Sequence, residues 1–142
     1  MRWSALVVAV VLAAASMSGT GLAQEKPAPS AKPAVVDYDT FMKLDTQGRI
    51  RTFNEVTPEN RAALVQTQIK RWRDKNQSRL SPEQLKMIEE NLAFVTADRY
   101  RQPMTEAERT RAKDLEMRTA ALFSREEMMQ MLTISGEYIV KK

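Results

Sequence analysis

The two residue types that most often carry enzymatic proton and nucleophile chemistry are missing from this chain: its 142 residues contain no histidine and no cysteine. General bases, thiol nucleophiles and zinc sets built on them are therefore out of reach. Adjacent carboxylates remain, Glu89 with Glu90 and Glu126 with Glu127. Glu59, Glu83, Glu106, Glu108, Glu126 and Glu127, however, all fall in the first turns of expected helices, where the positive end of the helix dipole already accounts for a carboxylate. The expectation is a protein that is not an enzyme, with no catalytic residue and no cofactor.

Nine methionines raise the question of a soft metal, because thioether sulfur can hold Cu(I). Met128, Met129 and Met131 are the densest group, yet adjacent positions on a helix point apart, and methionine commonly fills uneven gaps in a core. The stretch from Lys43 to Asn54 brushes the calcium-loop pattern but places Lys43 at the first ligand position and Asn54 at the twelfth, with no bidentate carboxylate. No metal site is expected.

The most pointed feature is Lys70-Arg71-Trp72-Arg73-Asp74-Lys75 with Arg79 close behind, five basic residues against one acid. The chain carries 22 basic and 18 acidic residues, and without its first 23 residues, which hold only Arg2, the balance is +3, so this run alone exceeds it. Two readings stay open. Cations are favoured at a helix C-terminus by the dipole, with Trp72 on the apolar face and long basic stems lying over it. Alternatively Lys70, Arg71, Trp72, Arg73, Lys75 and Arg79 form a binding surface for something anionic, such as phospholipid headgroups. Nucleic acid is not expected as a partner, since the balance is mild and no aromatic residue besides Trp72 is interleaved with the cations.

Four helix starts must position these residues. Val56-Thr57-Pro58-Glu59-Asn60 and Leu80-Ser81-Pro82-Glu83-Gln84 stand 24 residues apart, each with a hydroxyl for an orphan first-turn N–H, a proline where no bond is lost and a glutamate at the positive end. Thr105 to Glu108 and Ser124 to Glu127 have the capping-box form. The 3-4-3 spacing predicts apolar faces of Ala62, Val65, Ile69 and Trp72, then Leu85, Ile88, Leu92 and Val95. Counted from their caps the two faces are offset by one residue, so the likeness of the starts is not a repeat. Ala112, Leu115, Thr119 and Leu122 give a weaker face, and Met128, Leu132 and Ser135 lead to Gly136 as a stop. Phe123 and Met128 bracket the Ser124 cap as a staple, as Leu80 and Leu85 bracket that of Ser81. Pro103 ends the second main helix at or before Gln102, and Thr96-Ala97-Asp98 opens a separate turn. Ahead of these, Tyr38, Phe41 and Leu44 predict a short helix with Gly48 as its left-handed cap, and Ile50, Phe53 and Val56 a second one. Glu137 to Lys142 is β-prone but alone, and is expected to fray.

Met1 to Ala23 has the form of an export signal: Arg2, an apolar run from Leu6 to Ala15, and the small-residue site Gly21-Leu22-Ala23. The expected mature chain starts at Gln24 and is secreted or periplasmic; the alternative is an uncleaved anchor, since Trp3 to Ala23 carries no charge. Residues 24–34, with three prolines, read as a spacer, and residues 35–142 as a single helical domain. With no cysteine to staple it, that domain must hold together by packing alone.

Phe41 with Leu44, Arg49 with Phe53, Thr57 to Leu64, Trp72, Leu80 to Gln84 and Phe123 to Glu127 together resemble the small exported proteins described as bacteriocin fulvocin C-related. The resemblance spans about Asp37 to Gly136. It implies a compact helical domain and a link to antagonism between bacteria, and it brings no catalytic residues. Leu80-Ser81-Pro82-Glu83-Gln84 is also similar to the L-T-x-x-Q motif of periplasmic stress chaperones, with Ser for Thr. That similarity implies a curved helical dimer holding unfolded clients on a basic, partly apolar concave face. The expected fold is all-α, a small bundle of four main capped helices plus one or two short N-terminal ones. Two functions follow: a binding or chaperone-like module with a protein partner, or an effector that acts on membranes through the basic helix end.

Overall fold

All four main helix starts are closed by the hydroxyls named above. In the computed structural model, which describes residues 35–137, Thr57 accepts from the Asn60 N–H at the start of α3 (Pro58–Asn76), after α1 (Tyr38–Lys43) and α2 (Thr46–Glu55). Ser81 and Gln84 satisfy each other's backbone at the start of α4 (Pro82–Phe94), as Thr105 and Glu108 do for α6 (Glu106–Leu122). Ser124 and Glu127 repeat the exchange at α7 (Arg125–Glu137). Such caps contribute about 1 kcal/mol each. Between α4 and α6 lies the single turn α5 (Asp98–Arg101), ended before Pro103 as expected, and a 3-10 turn, Gln77–Arg79, follows α3. The described residues are all-α, without a strand. The expected leader at 1–23, the mature start at Gln24, the spacer at 24–34 and the tail at 138–142 lie outside them.

Three expectations need correction. Gly48 does not cap α1 in a left-handed turn; no glycine among the described residues has positive φ. It sits buried in the first turn of α2, where its N–H donates to Asp45 at 2.7 Å. Asp45 is thus the stronger signal: it starts a second helix where Gly48 was read as ending the first, and α1 stops in extended backbone at Leu44. In α7 the inward residues are Met131 and Ile134, with Met128 and Leu132 only half-buried. Leu132 has non-helical backbone angles, so the helical period is broken there, and α7 runs past Gly136 to Glu137. On α6, Leu122 is exposed and only Leu115 and Thr119 are buried.

The core gathers around α3, which packs against α1, α4, α5 and α7, while α6 lies outside on α4 and α7. Ala62, Val65, Ile69 and Trp72 all face inward as their spacing requires, joined by Leu64. On α4, Ile88 and Leu92 are buried and Met87 joins them, with Leu85 and Val95 at the margin. Phe41 packs on Phe53 with ring centres 6.4 Å apart, Phe53 meets Tyr100 edge-on at 5.9 Å, and Trp72 meets Phe123 edge-on at 5.9 Å. Edge-to-face contacts of this kind add to simple burial because ring edges are positive and faces negative.

Candidate functional site

Helix period divides the basic end of α3 between three neighbours. Arg71 turns toward α1, where its two terminal nitrogens hold both oxygens of Asp39 at 2.7 and 3.0 Å, and its guanidinium lies 4.5 Å from the centre of the Tyr38 ring. Arg73 turns toward α4, reaching Glu89 at 2.6 Å and its own neighbour Asp74 at 3.0 Å. Arg79 meets Glu127 of α7 at 2.6 Å and lies 5.5 Å over the Trp72 ring. Trp72 itself is 6% exposed and donates from its indole nitrogen to Gln130 at 3.3 Å. Lys70 and Lys75 are exposed and, among the described residues, form no ion pair. Five of the six residues thus lie on the end of α3 and Arg79 in the turn that follows; they are not brought to one face, and three of the five cations are paired with carboxylates.

The charges respond as this geometry requires. Hydrogen bonds from Arg71 hold the Asp39 carboxyl below its ordinary range, and Asp39 raises Arg71 in return. Asp74 and then Glu89 do the same for Arg73. Glu127 is lowered first by the Ser124 backbone N–H and then by Arg79. Burial raises the Tyr38 phenol against the opposing pull of Arg71. Water screens pairs as exposed as these, so they add little to stability. Their main effect is to remove free positive charge from the surface.

Beside Arg71 and Lys75, which are one helical turn apart, an open groove of about 380 Å³ separates α3 from α1 and α7. Its floor is a polar relay: the Tyr38 hydroxyl donates to Gln68, and Gln68 donates to the Gln130 carbonyl at 2.6 Å. Trp72 and Thr133 complete the lining, which holds two cations and no carboxylate. Arg71, Trp72 and Lys75 were candidates from the sequence; Tyr38, Gln68, Gln130 and Thr133 were missed. A signal was present, since Gln68, Arg71 and Lys75 recur at three and four residues along the edge of the apolar stripe of α3.

A smaller hollow of about 250 Å³ lies between α5 and α6, lined by Arg99, Gln102 and Glu108 among others. Glu108 there caps Thr105, and the Arg99 guanidinium lies 4.4 Å from the centre of the Phe94 ring, with one terminal nitrogen buried without a hydrogen-bond partner and its pKa lowered by burial.

The other candidates are likewise dispersed or engaged. Glu89 takes Arg73 and Glu90 takes Arg118 at 2.8 and 3.1 Å, while Glu127 is occupied by the Ser124 cap and Arg79. Met131 is fully buried, Met128 half-buried and Met129 63% exposed, so the three sulfurs do not share a face. Among the described residues no group of three or more acidic side chains is placed to hold a metal ion.

No family model, curated protein or solved structure matches the chain. Residues on which the expectation of a bacteriocin fulvocin C-related protein rested have structural work to do here: Thr57, Ser81 and Ser124 are caps, and Phe41, Phe53, Leu64, Trp72 and Phe123 are buried.

Proposed function

We propose that the chain is an exported, non-catalytic helical binding protein of the bacterial envelope or exterior, which holds a protein partner in the manner of a chaperone-like module. One observation carries this reading. The basic end of α3 is folded into ion pairs with Asp39, Glu89 and Glu127 beside an open groove, and is not spread as a free cationic face. Attraction to an anionic bilayer is worth about 1 kcal/mol per free cation near the surface. Only Lys70 and Lys75 remain for that purpose in this region, which is little for an effector that acts on membranes.

A further feature supports a protein partner. Met117 and Met129 are well exposed, with Leu122 at the margin, and flexible thioether side chains adapt to varied apolar surfaces. No helix of the described residues is long and apolar enough to cross a membrane. Export rests on the leader-like Met1 to Ala23.

Light scattering of a chemically denatured client, run beside dye leakage from phosphatidylglycerol vesicles, tests the reading. Suppressed aggregation without leakage is expected. Leakage without suppression would replace the module with a membrane effector, and turnover of a substrate by the pure protein would end the non-catalytic reading.

A further inference from the structure

We infer that the groove between α1, α3 and α7 takes a side-chain carboxylate of an acidic, extended polypeptide segment, held between Lys75 and the free edge of Arg71. The inference rests on the proposed protein-binding function and names the chemistry of the partner. Charge complementarity is the first argument. Asp39 uses one N–H on each terminal nitrogen of Arg71, which leaves the remaining guanidinium N–H groups for another acceptor. Lys75, one turn further along α3, is exposed and unpaired among the described residues. A carboxylate between the two would gain charge-assisted hydrogen bonds without having to displace Asp39.

The rest of the lining suits a peptide better than a lone ion. At about 380 Å³ the groove is far larger than one small anion needs. The Gln130 side-chain oxygen accepts from Trp72, while its NH2 group makes only a long 3.5 Å contact, to Glu126, and so has a donor to spare for a peptide carbonyl. The Tyr38 ring and the edge of Trp72 offer an apolar wall for the methylenes of a glutamate. A bilayer fits less well. Asp39, bound to Arg71 at the groove, would face a flat anionic surface, whereas a single inserted carboxylate meets Lys75 and the remaining N–H groups of Arg71.

The test is an NMR titration of the 15N-labelled protein with acetyl-tetraglutamate amide, with acetyl-tetraglutamine amide, inorganic phosphate and phosphatidylglycerol vesicles as comparison arms. The glutamate peptide is expected to shift the Trp72 indole and Gln130 side-chain amide signals saturably. Lys75→Gln should weaken it about tenfold, the loss of one charge-assisted hydrogen bond. Lys75→Arg should restore it, and Lys113→Gln on the exposed side of α6 should change nothing. Lys75 forms no ion pair or hydrogen bond among the described residues, so a native spectrum of each variant is its own folding control. Equal shifts with the glutamine peptide, or indifference to Lys75→Gln, would overturn carboxylate recognition. Tighter binding of phosphate would make the groove a free-anion site, and shifts with vesicles alone a membrane site; either result overturns the inference. The two readings fail separately: suppressed client aggregation in a protein blind to the glutamate peptide sinks only the groove assignment. Peptide binding without suppression sinks only the chaperone-like function.

Discussion

Asn60 holds the backbone of Val36 from both sides, its Oδ1 accepting from the Val36 N–H and its Nδ2 donating to the Val36 carbonyl, each at 2.9 Å. A buried side-chain amide on α3 thereby satisfies both backbone groups of a residue outside any helix, and it ties the segment just ahead of α1 to the helical body. It also sets α1, and with it Tyr38 and Asp39, against the basic end of α3.

Asn60→Ala removes both bonds and leaves two backbone groups to find water. A loss of about 2 kcal/mol is expected, at about 1 kcal/mol per bond. Urea unfolding gives the total, and hydrogen exchange at the Val36 amide shows where it falls. A change under about 0.5 kcal/mol, the size of an ordinary surface substitution, would mean that Val36 is held by something else.

Gly48→Ala should fail to stabilise α2, although alanine in a helix is ordinarily favoured over glycine by about 1 kcal/mol. A Cβ at this position would stand 2.9 Å from Asp45 Oδ1 and 3.3 Å from Leu44 Cβ, so it displaces the cap that starts the helix. The same change made in an Asp45→Ala background should recover the propensity gain. Equal effects in the two backgrounds, measured by thermal unfolding, would show that the cap and the glycine are independent.

Thr119→Val keeps the volume of a fully buried side chain but deletes a hydroxyl that donates to the Leu115 carbonyl and accepts from Asn91 at 3.0 Å. A cost of about 1 kcal/mol is expected, and most of it should vanish once Asn91 is already alanine. Additive costs in that double-mutant cycle would remove Asn91 from the account.

Stability should fall in acid, hold level across neutral pH and fall again in alkali. Asp39, Glu108 and Glu127 have native pKa values below their ordinary 3.8 and 4.5, so their contribution is complete above those values and is lost as pH drops through the lowered ones. Tyr38 and Tyr100 are raised above their ordinary 10.0 by burial, so the contribution of the neutral phenols is whole below that value and is lost as pH rises through the raised ones. The chain has no histidine, the side chain whose ordinary pKa lies near neutrality. Urea midpoints that differ between pH 6 and pH 8 would contradict this assignment, a range chosen around the ordinary histidine value.

The helix starts were legible because a cap is a local device: Thr57, Ser81, Thr105 and Ser124 act on N–H groups three residues away. The apolar face of α3 was legible for a similar reason, since an inner helix keeps one period throughout its length. The face of α7 was not, because the break at Leu132 shifts the period and brings Met131 and Ile134 inward. At Gly48 two local rules competed, and the aspartate three residues earlier won. The groove was only half legible. Arg71 and Lys75 stand out as charges, but the groove beside them depends on Asp39 of α1, which Arg71 meets across 32 residues of chain, and on Gln130 of α7, which Trp72 meets across 58. Asn60 was visible as a letter in a capping sequence, while its grip on Val36 is a tertiary contact that no local pattern encodes.

Hydrogen exchange of the protein with and without a denatured client, read peptide by peptide, tests most directly whether binding to protein at the basic end of α3 is what this fold is for. Added protection is expected in the second half of α3, in α1 and around Gln130 and Thr133 of α7, and not when phosphatidylglycerol vesicles replace the client. Protection confined to the outer side of α6, or appearing only with vesicles, would contradict it.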